Sequence, residues 1–251
     1  MRQIIQDAAL VLAETVSAAE LGMLIWRASD LQCQPHGKGE PVVVLPGFGA
    51  DDMSTWLLRR YLRYLDYRVY RWKQGVNCGD VPSMVTRVTE LARRCADKTG
   101  KRVRLVGWSL GGTIAREIAR DEPLLVERVI TMGSPVRIPR HLSARHCFSM
   151  FGNDVDAMDA EMERRTCTPI QVPVTAIYAA YDGFVSRTDC IDSCEGVEQV
   201  EVRTTHLGLG MNADVYRIVA QRLATLTTRL SWKPRKHAAF AMRMGAQAQG
   251  A

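Results

Sequence analysis

The sequence predicts an α/β fold: a mostly parallel sheet of about six strands, helices on both faces and a short lid insertion. Three observations carry that expectation. Short apolar runs of strand length alternate along the chain with longer amphipathic stretches of helical period. The first run, Pro41 to Leu45, is apolar throughout rather than alternating, as in a strand covered on both faces. Strands separated by helices also need right-handed crossovers, which make neighbouring strands parallel.

Ile4, Ile5, Ala8, Leu12, Val16, Ala19 and Met23 recur at helical spacing and predict a helix over 3–28. Leu31 to Glu40 is a polar connector containing Gly and Pro. The apolar strand that follows ends in the turn residues Pro46-Gly47-Phe48-Gly49. Ser54 to Leu65 reads as a helix and Tyr67 to Trp72 as a strand. Pro82 stands where it can open a helix running to Lys98. Arg102 to Val106 is a strand, Leu110 to Arg120 a helix, and Arg128 to Met132 a strand ending in Gly133-Ser134-Pro135.

Residues 137–171 break this rhythm. They are polar, with Asp154, Asp156, Asp159 and a run of Glu and Arg around 161–165, and are too short to bury a core of their own. They read as an irregular lid or cap. Val174 to Tyr178 and Gln199 to Arg203 are the last strands. The closing helix spans Ala213 to Arg229, with Val215, Ile218, Val219, Arg222, Leu223 and Leu226 on its inner face. Residues 1–230 thus form one domain, and 231–251 a basic, disordered tail.

Composition narrows the functional classes. Hydrophobic residues at 47% and charged residues at 24% are the balance of a soluble globular protein and exclude a wholly disordered chain. Most of the net charge of +6 sits in the tail, which carries Lys233, Arg235, Lys236 and Arg243 and no acidic residue. A near-neutral body with a basic tail does not describe a nucleic-acid binder. The seven cysteines include no CxxC pair and no Cys/His array of zinc spacing, so neither metal nor other cofactor is expected. They read as reduced thiols of a cytoplasmic protein, although Cys190 and Cys194 are close enough in sequence to bridge. No signal-peptide pattern or transmembrane span is present in the sequence. The N-terminal apolar stripe and the basic tail are the two features that would bring the chain to a membrane surface peripherally.

The residues that carry chemistry begin with Gly107-Trp108-Ser109-Leu110-Gly111, followed by Gly112. A GxSxG pattern between a strand and a helix is the context of a nucleophile elbow, where a serine sits on a tight turn. Gly107, Gly111 and Gly112 are then needed because a Cβ would collide with the neighbouring strand or helix. Serine needs a base. Of the five histidines, His36 precedes the sheet, His141 and His146 fall in the lid candidate, and His237 is in the tail. His206 follows the last strand, at the sheet edge where the elbow lies. Asp182 ends the preceding strand, which gives the chain order Ser, acid, His; Asp154, Asp156, Asp189 and Asp192 are its rivals. Two backbone N–H groups would hold an oxyanion, that of Leu110 and that of Phe48 at the end of the first strand.

With these residues the chain resembles the α/β-hydrolase superfamily, in particular its lipase- and esterase-like members. VVVLPGFGA, LVGWSLGG, VITMGSP, PVTAIYAAYDGFVS and VEVRTTHLGLGMN stand in the superfamily's order across residues 41–229. The resemblance implies Ser109, Asp182 and His206 as catalytic triad and Phe48 and Leu110 as oxyanion donors. It also implies a carboxylic ester substrate, small or lipid-like, and an acyl-enzyme on Ser109. Trp72 to Asn77 looks like a loop of small bacterial members. Two departures stand out: Pro46-Gly47 replaces the usual His-Gly before the oxyanion residue, and helix replaces the superfamily's first two strands. Met150, Met158 and Met162 in the lid candidate suggest an apolar acyl chain beneath it. The same motifs suit an acyltransferase or thioesterase of this fold, or a non-catalytic binding protein that kept it.

Overall fold

The computed structural model describes residues 17–136, 149, 152, 154–166, 168–192, 194 and 196–225. The predicted tail 231–251, His141, His146, His237 and Met150 lie outside the described residues.

Among the described residues six strands form one sheet: β1 (Pro41–Leu45), β2 (Arg68–Arg71), β3 (Val103–Trp108), β4 (Val126–Met132), β5 (Val174–Ala179) and β6 (Val197–Val202). Their order is β2-β1-β3-β4-β5-β6, and every pairing is parallel. Each connection is long enough to cross over a face, as parallel neighbours require. All five residues of β1 are buried, as its unbroken apolar run predicts.

Successive strand residues point to opposite faces, and the core divides accordingly. Val42, Val44, Val106 and Ile130 pack on one face against Leu24, Leu58, Leu62, Tyr216 and Val219. Those partners belong to α1 (Ser17–Trp26), α3 (Trp56–Tyr64) and α8 (Ala213–Ala224). Val43, Leu45, Leu105 and Val129 pack on the other face against Val88, Ala92, Ile114 and Ile118. These lie on α4 (Val81–Thr99) and α5 (Leu110–Asp121). The ends of α4 follow local chemistry. The Asp80 carboxylate accepts from the Ser83 N–H, and Gly100 closes the helix at φ 66°.

The structure departs from the sequence expectations at four places. The N-terminal stripe is described from Ser17, with a break at Arg27 and a short helix α2 (Ala28–Gln32) running beyond the expected end. The stretch 137–171 is not irregular throughout, since α6 (Val155–Thr166) forms inside it. A short α7 (Arg187–Cys190) follows β5. Arg222 does not join the apolar face of α8; its guanidinium pairs with Glu198 on β6 at 2.5 Å. A charged head stays at the surface when a carboxylate is within reach. Cys190 and Cys194 are both free thiols. No helix among the described residues is long and apolar enough to cross a membrane.

Candidate active site

The strand order reverses between β1 and β3: one neighbour of β1 is β2, and the rest of the sheet builds outward from β3. A crevice at the carboxyl ends of such a pair is where open α/β sheets hold ligands. Pro46-Gly47-Phe48 leaves β1 there and Ser109 leaves β3 beside it.

Ser109 takes φ 52° and ψ −126°, a left-handed conformation that disfavours side chains. It is held by its own N–H, which donates to Met132 O at 2.8 Å, and by its carbonyl, which accepts from the Gly112 N–H at 2.9 Å. Strain of this kind persists only where the surroundings impose it. The three elbow glycines show how. A Cβ on Gly111 would lie 2.5 Å from the carbonyl oxygens of Leu45 and Pro46. One on Gly107 would run into Gly111 and Gly112, and one on Gly112 would strike the Ser134 side chain. Gly47 completes the fit, because its missing Cβ would sit 3.1 Å from Ser109 Cβ.

His206 and Asp182 meet. His206 Nδ1 is 2.7 Å from Asp182 Oδ2, and both side chains are buried. Asp182 Oδ1 accepts from the N–H groups of Phe184 at 2.9 Å and Val185 at 2.7 Å, which fixes the carboxylate plane. The rival acids are occupied elsewhere. Asp192 forms a buried pair with Arg116, Asp189 accepts from Ser186 Oγ at 2.7 Å, and Asp154 caps α6 through the Ala157 N–H. Asp156 lies in the first turn of α6. His36 is bound to Asp66 at the surface.

His206 is also tied to the elbow through its backbone. The indole Nε1 of Trp108, which precedes Ser109, donates to the His206 carbonyl at 3.2 Å. Gly133, one residue past the Met132 that binds Ser109, gives way to the ring: a Cβ there would be 3.0 Å from His206 Nδ1. Phe184 lies edge-on to the imidazole with ring centres 5.5 Å apart.

Leu110 begins α5, so its N–H belongs to the first turn, whose donors have no intrahelical acceptor. The Phe48 turn is braced by a residue to which no sequence motif gives a role. Asn77, fully buried, donates from Nδ2 to Pro46 O at 3.0 Å. Its backbone carbonyl accepts from the Gly49 N–H at 2.8 Å, and its N–H donates to Ala50 O at 2.9 Å. Asp52 adds a second brace by accepting from the N–H of Trp72 at 3.1 Å. Asn77 and Trp108 had only their neighbouring motifs as sequence signals.

Phe48 and Leu110 pack in one apolar cluster with Val155, Met158 and Met162 of α6, and with Val81. The helix inside the lid candidate therefore lies over the two residues expected to hold an oxyanion. Its carboxyl end is anchored to α5: Arg165 pairs with Glu117 and with Asp121, the latter at 2.6 Å. The buried cysteines are unsuited to nucleophilic work. Burial pushes the Cys95 thiol up to about 11. Burial first, and then the Asp182 and Asp189 carboxylates, push the Cys190 thiol well above its usual range.

No family model matches the chain. A stretch of 116 residues is 29% identical to a pimeloyl-[acyl-carrier protein] methyl ester esterase of Aliivibrio fischeri; it covers 43% of this chain and 42% of that relative. The chain thus spans less than half the length of the curated relative it matches. Among solved structures, a monoacylglycerol lipase of Paleococcus ferrophilus superposes with TM-score 0.57 at 14% identity, covering 76% of this chain and 96% of that one. Lipase B of Aspergillus fumigatus gives TM-score 0.57 at 17% identity over 76% of this chain and 54% of its own. A thioesterase domain from the curacin biosynthetic pathway gives 0.54 at 14% identity over 75% and 92%.

Proposed function

We propose that this chain, which has the α/β-hydrolase fold, is a serine hydrolase that cleaves carboxylic esters through an acyl-enzyme on Ser109. One observation carries the reading. A strained serine stands at the end of β3, on the sheet edge where a buried carboxylate holds Nδ1 of a histidine. A serine hydroxyl is a weak nucleophile alone and needs a base whose orientation a third group fixes.

In the proposed cycle Asp182 keeps the proton of the neutral imidazole on Nδ1, so Nε2 is the basic nitrogen. His206 Nε2 takes the Ser109 proton as Oγ attacks the ester carbonyl. The N–H groups of Leu110 and Phe48 hold the oxyanion that forms. The resulting imidazolium is stabilised by Asp182 and returns the proton to the leaving alcohol as the C–O bond breaks. Water then enters and gives a proton to His206 as it attacks the acyl carbonyl; the acyl–Oγ bond breaks, His206 returns that proton to Ser109 Oγ, and the acid is released.

The acyl group is proposed to be apolar. The cluster of Phe48, Leu110, Val155, Met158 and Met162 offers an adaptable apolar roof beside the oxyanion donors. The half-exposed Phe184 extends that character to the histidine side. The names of the relatives, a methyl ester esterase, two lipases and a thioesterase domain, agree with an acyl substrate.

Turnover of p-nitrophenyl esters of increasing acyl length tests both parts. The wild-type protein is expected to prefer medium or long chains over acetate, and Ser109→Ala to lose turnover while keeping its fold. Full activity in Ser109→Ala refutes the mechanism; a preference for acetate refutes the apolar substrate. Adding a competing alcohol and analysing the products separates hydrolysis from acyl transfer.

A further inference from the structure

The loop that carries His206 runs from Thr204, two residues past β6, to Asn212, the residue before α8. Several of its polar contacts are internal or come from elements packed beside it. The Gly208 N–H donates to Thr205 Oγ1 at 3.1 Å, Tyr216 Oη donates to Gly210 O at 2.9 Å, and Trp108 holds the His206 carbonyl. Glu20, on the N-terminal helix α1, accepts from Thr204 Oγ1 at 2.7 Å through Oε1 and from Asn212 Nδ2 at 2.9 Å through Oε2.

One carboxylate therefore grips both ends of the histidine loop. Both gripped residues are buried, and each has a second task. The Thr204 carbonyl accepts from the Tyr181 N–H at 3.0 Å, next to Asp182. Asn212 Oδ1 accepts from the N–H groups of Asp214 at 2.8 Å and Val215 at 3.1 Å, capping α8. The interior of the loop fits the same side chain, since a Cβ on Gly208 would lie 3.5 Å from Glu20 Cγ. The helix is fastened a second time where Arg27, just beyond α1, pairs with Asp214 at 2.9 Å.

From this geometry we infer that Glu20 is a positioning residue for the reaction: it fixes the span of the 204–212 loop and through it the placement of His206 against Ser109. The inference rests on the serine-hydrolase reading. Glu20 touches no reacting atom; it acts by holding two hydrogen bonds. Misplacing a catalytic group by an ångström costs about a hundredfold in rate, so a loop freed at both ends should lose turnover rather than ground-state affinity. The role needs hydrogen-bonding reach, not charge. Glutamine keeps an acceptor for Asn212 and supplies an amide N–H to the Thr204 hydroxyl, whereas aspartate is one methylene too short to span both.

The test compares Glu20→Ala, Glu20→Asp and Glu20→Gln in the full-length chain, with p-nitrophenyl butyrate as substrate. Fluorophosphonate titration counts reactive serines, so that kcat is expressed per competent site and loss of folded protein is removed from the comparison. Glu20→Ala is expected to lower kcat per titrated site about ten- to a hundredfold with KM within about twofold. Glu20→Asp should fall part of that way and Glu20→Gln stay near wild type. Wild-type kcat per titrated site in Glu20→Ala overturns the inference, even if its thermal stability drops. So does a Glu20→Gln variant as slow as Glu20→Ala. If Glu20→Ala yields no folded protein, the other two decide: aspartate slower than glutamine supports the role, and equal rates overturn it. A wild-type protein that neither turns over ester nor accepts the probe instead overturns the serine-hydrolase reading on which the inference depends.

Discussion

Asp182 gives one carboxylate oxygen to His206 Nδ1 at 2.7 Å and keeps the other on the N–H groups of Phe184 and Val185. Its orientation is thus set by the backbone of its own turn, and the imidazole must conform to it. Asp182→Asn keeps the shape but presents an amide that favours the wrong tautomer. We expect kcat to fall by about 10⁴, with the thermal midpoint little changed. A steady-state assay beside a melting curve checks both.

Asp192 serves as the contrast. Burial pushes its carboxyl up, but the Arg116 guanidinium and the Cys194 N–H outweigh that and hold it below the usual carboxylate range. A carboxyl with a lowered folded pKa stabilises the fold above its unfolded value, and that contribution is lost as pH falls through the folded one. The stability of the wild type should therefore decline on acidification below about pH 4, and Asp192→Asn should show a shallower decline there. Because the change leaves Arg116 buried without its counter-charge, it should also cost about 3–5 kcal/mol at neutral pH. Denaturant melts across pH measure both. Activity per folded molecule should survive, as it should not in Asp182→Asn.

The elbow makes a steric prediction. Gly112→Ala would drive a methyl group into the Ser134 side chain, with Ser134 Cβ at 2.7 Å. Overpacking of this kind typically costs about 1–3 kcal/mol. Adding Ser134→Gly removes the obstructing atoms, so the double variant should recover much of the lost stability. A double-mutant cycle by urea unfolding would show the coupling; strict additivity would contradict the geometry.

The apolar roof predicts a change in selectivity. Met158→Ala and Met162→Ala remove side chains that pack with Phe48 and Leu110. Both should shift the preferred p-nitrophenyl ester chain length by about one or two methylenes, each worth about 0.8 kcal/mol when buried. An unchanged chain-length profile in both variants would detach α6 from the substrate.

Much of this was legible in the sequence, for a physical reason. The elbow and the strand ends on which Ser109, Asp182 and His206 stand follow from local requirements: a tight turn, glycines where chains touch, apolar runs long enough for a buried strand. Both faces of β1 were readable from five residues. What escaped depends on contacts between distant segments. Glu20 meets Asn212 across 192 positions, and Asn77 reaches Pro46 across 31. Neither has a periodicity or motif to announce it. The helix α6 was hidden because its Asp, Glu and Arg residues mask a short apolar seam. Arg222 shows the opposite failure: it stands at a core-facing spacing, yet its long stem carries the charge outward to Glu198.

The central claim is that Ser109 becomes the acylated nucleophile when His206 accepts its proton. The most direct test is intact-mass and peptide mass spectrometry after exposure to a fluorophosphonate probe. The account predicts one adduct per chain, mapped to Ser109, absent in Ser109→Ala and formed far more slowly in His206→Ala. Wild-type labelling of Ser109→Ala, or an adduct on another residue, would contradict it.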